Sequence, residues 1–158
     1  MFNFIQGARV AQMAFVVNNL EEVKSGFSNL FGFTPVPPTC GLGNPEVART
    51  EFRGKLSPEI ECKIVYFDFE NIQIELMQPN ENPSTWREWL EQRGEGLHHI
   101  SFLVHDMDAR IKDCEKKGMT MVQRGEYADA SGCYAYLEAP GTVNFLIELL
   151  EDYKKRDA

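Results

Sequence analysis

The 158-residue chain has no apolar run near the roughly 18 residues that a membrane-spanning helix needs, and no charged leader followed by a long apolar stretch. These absences argue against a membrane span and lead to the expectation of a cytoplasmic protein. Cysteine is sparse, and Cys40, Cys62, Cys114 and Cys133 include no Cys-x-x-Cys pair. That spacing argues against a zinc ribbon or a disulfide framework and leaves reduced, structural thiols. Cations are also in short supply: 16 Lys and Arg against 24 Asp and Glu give a formal charge of −8. Without clustered cations to neutralise phosphates, nucleic acid is not an expected partner. The short basic groups Lys116-Lys117 and Lys154-Lys155-Arg156 read as a solvated helix end and a tail.

What is present is a repeat. Asn71-Ile72-Gln73-Ile74-Glu75-Leu76-Met77 parallels Asn144-Phe145-Leu146-Ile147-Glu148-Leu149-Leu150, and each segment sits near the end of its half of the sequence. The halves also start alike. The run from Gln12 to Leu20 parallels that from His99 to Met107, each strand-like and ending in a polar pair suited to cap a helix. The repeat therefore makes Gln12 the counterpart of His99, and Glu75 that of Glu148.

With 43% apolar residues the chain can bury a real core, and the repeat divides it into two modules. The first, 8–79, starts with a strand from Ala8 to Val17. A helix follows, capped by Asn18 or Asn19, carrying Leu20, Val23, Phe27 and Leu30 at helical spacing, and stopped at Gly32. The proline- and glycine-rich stretch from Thr34 to Pro58 holds a short strand or two within loops, and strands follow at 60–69 and 71–77. The linker, 80–96, contains a helix with Thr85 and Glu88 as a capping box and a packing stripe of Trp86, Trp89 and Leu90. The second module, 97–152, repeats the order: a strand from His98, a helix capped by Asp106 and ending at Lys117-Gly118, then strands near 119–124, 132–138 and 144–150. Each half reads β-α-β-β-β.

Strand alternation places Asn71, Gln73 and Glu75 on one face and Ile72, Ile74 and Leu76 on the other. The apolar face suits the helix, which leaves Glu75 and Glu148 facing whatever the sheet curves around. A carboxylate in an enclosed concavity is costly unless a cation or hydrogen bonds offset it. Alternation also sends His98 and His99 opposite ways, and the repeat selects His99 as the inward one. The inward set of Gln12, Glu75, His99 and Glu148 suits one divalent ion such as Mg, Mn, Co, Ni or Zn. Such an ion polarises a carbonyl while a glutamate moves the proton of the adjacent carbon.

Gly94-Glu95-Gly96-Leu97-His98-His99-Ile100-Ser101-Phe102, together with Ile74-Glu75-Leu76-Met77-Gln78-Pro79 and Ile147-Glu148-Leu149, resembles the vicinal oxygen chelate (glyoxalase/bleomycin resistance) superfamily, most closely its methylmalonyl-CoA epimerase branch. The resemblance implies an α+β fold in which two tandem βαβββ modules form a cupped mixed sheet around a divalent metal, commonly as a homodimer. By position it makes Gln12, Glu75, His99 and Glu148 the metal ligands and Glu148 the acid/base as well. It implies an epimerase acting on a 2-substituted acyl-CoA thioester through a metal-stabilised enolate. Inversion needs a second base on the other face of the substrate carbon, and Glu61, or its neighbour Glu59, is the candidate.

Two departures keep alternatives open. The epimerase branch usually has His where this chain has Gln12, and a Gln, Glu, His, Glu set is similar to that of some glyoxalase I enzymes, which are lactoylglutathione lyases. The Asp-Pro-Asp-Gly turn common in glyoxalases before the last strand is absent, replaced by Glu138-Ala139-Pro140-Gly141-Thr142. Gln12 argues against a ring-cleaving dioxygenase, which binds iron with two His and one Glu. A third alternative is a ligand-binding protein without turnover, its pocket lined by Phe15, Tyr66, Phe67, Tyr134 and Tyr136.

Overall fold

The structure, a computed structural model, describes residues 9–141 and 143–153. The expected strand start at Ala8, Thr142 and the basic group at 154–156 lie outside the described residues. The described residues build one nine-stranded sheet in the order β3-β2-β7-β8-β9-β6-β1-β5-β4. In chain order its elements are β1 (Val10–Val16), α1 (Leu20–Phe31), α2 (Pro45–Ala48), β2 (Glu51–Phe52), β3 (Lys55–Leu56), β4 (Cys62–Asp68), β5 (Gln73–Pro79), α3 (Thr85–Arg93), β6 (Gly96–Leu103), α4 (Met107–Glu115), β7 (Thr120–Glu126), β8 (Gly132–Glu138) and β9 (Leu146–Asp152). The first strands of the two halves, β1 and β6, pair antiparallel at the centre. Each then pairs in parallel with the last strand of its own half, β1 with β5 and β6 with β9.

The halves are not equal. Where the repeat leads one to expect a second strand in the first half, a single bridge joins Cys40 to Ile64. Pro35, Pro37, Pro38 and Pro45 crowd this stretch, and a proline has no N–H to give a ladder. The short hairpin of β2 and β3 crosses instead to the other half, where Glu51 and Phe52 pair with Arg124 and Gln123 of β7.

Alternation then sorts the side chains. One face of β4 and β5 packs Val65, Phe67 and Leu76 under α1 through Leu20, Val23 and Phe27. One face of β8 and β9 packs Cys133, Ala135, Leu137 and Leu149 under Met107, Ile111 and Cys114 of α4. The concave face gathers Ala14, Val16, Ile64, Met77, Tyr134, Tyr136 and Leu150, with Trp86 and Leu90 of α3 inserted among them. The Trp86 stripe is thus packing, and α3 closes part of the cup.

Helix ends separate local from long-range chemistry. The Asn19 side chain accepts the Glu22 N–H and Gly32 ends α1 in the left-handed region, as the sequence implies. Leu30 departs from the expected stripe and is 77% exposed. Ser84, not Thr85, caps α3 by accepting from Arg87, while the Thr85 N–H donates to Gln123 Oε1 of β7 at 2.9 Å. Asp106 makes no side-chain cap, and α4 ends at Glu115 rather than Lys117. Its cap comes from Glu151 of β9, a buried carboxylate that accepts the Asp106 and Met107 N–H groups, both at 3.0 Å.

Replacing Glu151 with Ala is expected to cost about 1–3 kcal/mol, because two helix-start donors lose their acceptor. Urea unfolding measures it, and an unchanged midpoint would show that water substitutes for the carboxylate. All four cysteines are free, with Cys40 exposed and the other three buried. A thiol reagent applied to the native protein should therefore label one cysteine quickly and the remaining three only on unfolding; rapid labelling of two or more would contradict this packing.

Candidate active site

The site forms at the centre of the concave face, where β6 lies between β9 on one side and β1, then β5, on the other. Three of the four metal-ligand candidates meet there. His99 Nε2 stands 3.1 Å from Glu148 Oε2 and 3.3 Å from Glu75 Oε2. His99 is fully buried, and both glutamates are 4% exposed. Yet Nε2 has no aligned hydrogen-bond partner, so these are charge contacts that leave the ring nitrogen unsatisfied. The carboxylates are placed by their strands: Ser101 of β6 donates its hydroxyl to Glu148 Oε2, and Tyr66 of β4 stands opposite Glu75 in the β4–β5 register.

The electrostatics follow from burial and charge. Burial disfavours a protonated His99, but the negative charge of Glu148 and then Glu75 outweighs it and raises the pKa to about 9. Burial raises the Glu75 pKa and Glu148 adds to the effect, with His99 and Tyr66 opposing it. Tyr66 is pushed up by burial and by Glu75, and Tyr136 by burial, Glu148 and Glu75. Both phenols stay neutral.

Gln12 reaches the same cavity but not the trio. Its amide nitrogen donates to Gln73 Oε1, whose strand position pairs with it across β1 and β5. The cavity has a volume of about 550 Å³, and its wall includes Gln12, Glu75, Glu148, Tyr66, Tyr127 and Tyr136. No Lys or Arg lines it among the described residues. Of the aromatics expected to line a pocket, Tyr66, Tyr134 and Tyr136 do; Phe15 and Phe67 pack with α1 instead.

Glu61 requires a correction. It is exposed and lines a separate cavity of about 510 Å³ with Lys63 and Gln78. Alternation along β4 is the reason: Cys62, Ile64 and Tyr66 turn toward the concave face, so Glu61 and Lys63 turn away. Glu59 does not line the site cavity either.

A second correction concerns His98. The register shifts between Ala14, paired with His99, and Phe15, paired with Leu97, so His98 is the extra residue of a β-bulge. A bulge interrupts alternation and re-aims a side chain. His98 is fully buried and its Nδ1 lies 2.8 Å from His99 Nδ1. Sequence reasoning also missed Ser101; its position two residues beyond His99, hence on the same face, was the available signal.

Of the expected ligands, Gln12, Glu75 and Glu148 line this cavity, as do the carboxylates Glu126 and Asp152, whereas His99 is fully buried and forms no part of the wall. No group of three or more His, Cys, Asp or Glu side chains among the described residues is arranged to hold a metal as it stands. The donors nonetheless fit in kind. An unsatisfied imidazole nitrogen faces two carboxylate oxygens, and spacings of 3.1 and 3.3 Å suit neighbouring donors about a small ion with bonds of roughly 2.1 Å.

Comparison with known proteins agrees with this architecture. The methylmalonyl-CoA epimerase of Mycobacterium tuberculosis superposes with a TM-score of 0.63 at 19% identity, over 91% of this chain and 87% of that one. A variant of the Streptomyces coelicolor epimerase in complex with 2-nitronate-propionyl-CoA gives 0.61 at 22% identity, over 91% and 96%. The uncharacterized protein YqjC of Bacillus subtilis (strain 168) is 27% identical over 94 residues, 59% of this chain and 67% of its own. Residues 11–137 match the family model of the glyoxalase/bleomycin resistance protein/dioxygenase superfamily, and the chain belongs to that superfamily.

Proposed function

We propose that the chain is a divalent-metal-dependent epimerase of a 2-substituted acyl-CoA thioester. The observation that carries this reading is the pair of buried carboxylates, Glu75 and Glu148, approaching His99 from opposite sides of β6 beside an open cavity. Epimerisation needs a proton removed from one face of a carbon and returned to the other, and two bases on two sides provide for that. Glu148 takes the α-proton, and Glu75, in place of Glu61, serves the opposite face. The Ser101 hydroxyl occupies one Glu148 oxygen and fixes the carboxylate's orientation. The walls of Tyr66, Tyr127 and Tyr136 limit water around the substrate carbon. A divalent ion held by Glu75, His99, Glu148 and Gln12 would offset the carboxylate charge and polarise the substrate carbonyl. The fold similarity to epimerases that bind acyl-CoA analogues supports the substrate class.

A second reading, a lactoylglutathione lyase of the glyoxalase I type, is favoured by the Gln12, Glu75, His99, Glu148 set.

Proton exchange in deuterated water separates the two. Metal-loaded protein should wash out the α-proton of methylmalonyl-CoA, and a chelator should stop it. Conversion of only the methylglyoxal–glutathione hemithioacetal would select the lyase, and silence toward both would remove both readings. Glu148→Gln should slow the exchange by at least ~100-fold while the protein stays folded. A variant that keeps its rate would take the proton transfer away from Glu148.

A further inference from the structure

The strand register pairs each buried glutamate of the cavity with a tyrosine. Tyr66 stands opposite Glu75 across β4 and β5, and Tyr136 stands opposite Glu148 across β8 and β9. Spacing along the chain hides the match, since Tyr66 lies 9 positions before Glu75 and Tyr136 lies 12 before Glu148. Residues directly opposite in an antiparallel pair share a face, and all four line the cavity. The function above gives both glutamates a proton to move and leaves the tyrosines only a wall to form.

The Tyr136 hydroxyl is met by a donor and by no acceptor. Trp86 Nε1 donates to Tyr136 Oη at 3.2 Å, and the hydroxyl's own hydrogen finds no acceptor among the described residues. Glu148 across the strands is held instead by the Ser101 hydroxyl. The ring has no room to turn elsewhere: it lies 4.8 Å from the His99 ring, 5.3 Å from that of Tyr134 and 5.8 Å from that of Trp86, and is 2% exposed. A buried donor left unpaired is costly, which makes a group entering the cavity the natural acceptor for this hydrogen.

The chemistry at Glu148 supplies such an acceptor. When a carbon beside a carbonyl gives its proton to Glu148, the C–H electron pair moves into the carbon–carbon bond and the carbonyl oxygen takes up the charge. The wall carries Glu75, Glu126, Glu148 and Asp152 and no Lys or Arg among the described residues, so on the protein's side neutral donors must meet that charge. We propose that Tyr136 contacts the substrate: its hydroxyl, polarised by Trp86, donates a hydrogen bond to the oxygen that gains charge as Glu148 removes the α-proton. The phenol keeps its proton throughout, and Trp86 of α3 is a positioning residue that orients it. The inference rests on proton abstraction by Glu148, the step of the proposed function. It holds for a thioester and a hemithioacetal alike, because each loses a proton beside a carbonyl oxygen.

Tyr136→Phe keeps the ring and removes the hydroxyl. On whichever of the two substrates the unaltered protein converts, the variant's kcat should fall roughly 100-fold while KM stays within about threefold. An unchanged kcat, or a loss confined to KM, would overturn the proposal. Binding gives a second readout, with the planar anion 2-nitronate-propionyl-CoA and with propionyl-CoA titrated into both proteins by calorimetry. The variant should lose roughly 10- to 100-fold in affinity for the nitronate and little for propionyl-CoA, and equal losses would count against the proposal. The unaltered protein alone provides a third, so a variant that fails to fold cannot obscure the answer. Proton NMR can follow the Tyr136 hydroxyl through its contact with the Trp86 indole N–H. Its resonance should move downfield when the nitronate binds and hold still with propionyl-CoA; a resonance unmoved by both would overturn the proposal. If neither acyl-CoA binds, the rate on the hemithioacetal decides. A protein that converts neither substrate removes the proposed function and this inference with it, whereas an active protein indifferent to Tyr136→Phe removes the inference alone.

Discussion

The structure turns on the burial of two carboxylates and a histidine in one place. Taking Glu75 and Glu148 out of water is expensive, and each must be met by charge or hydrogen bonds within reach. His99, Ser101 and Tyr66 meet part of that demand. The remainder is negative charge that the proposed function would have a bound cation offset. Much of the concave face makes sense as support for this arrangement.

That support is built from sequence-distant parts. The antiparallel junction of β1 and β6 places the two halves in one sheet, so Glu75 of the first and Glu148 of the second can reach the same ring. Tyr136 stacks near His99 at 4.8 Å and accepts a hydrogen bond from Trp86 Nε1 at 3.2 Å, tying β8 to α3. Gln123 receives the start of α3, and Glu151 receives the start of α4. Helix ends and site walls are therefore held by the same strands. A change in how a helix seats on the sheet is transmitted to the site through side chains a few ångströms long.

The asymmetry between halves has its own logic. The proline-rich stretch of the first half gives up a full strand and becomes the loop of Cys40 to Leu42 on the cavity wall. The β2–β3 hairpin it frees extends the sheet at β7. A loop at that position can vary without disturbing the ladder, which suits a surface that meets substrate.

The sequence by itself determined the features with a short period. Alternation in β5 and β9 separated Glu75 and Glu148 from the apolar face, the repeat singled out His99, and Asn19 and Gly32 bounded α1 through contacts only a few residues away. Tertiary structure decided whatever depended on partners far along the chain. Thr85 looked like a cap until Gln123, 38 residues on, took its N–H, and Asp106 until Glu151 did so from 45 residues away. Glu61 was plausible as a base until the face of β4 was known. His98 was set aside because strict alternation sends neighbours apart, and only the pairing of β6 with β1 reveals the extra residue that turns it back. Local rules fix which face a side chain favours, but a bulge, a register or a cap donor is set by the strand that arrives beside it, and that strand is chosen by the packing of the whole sheet.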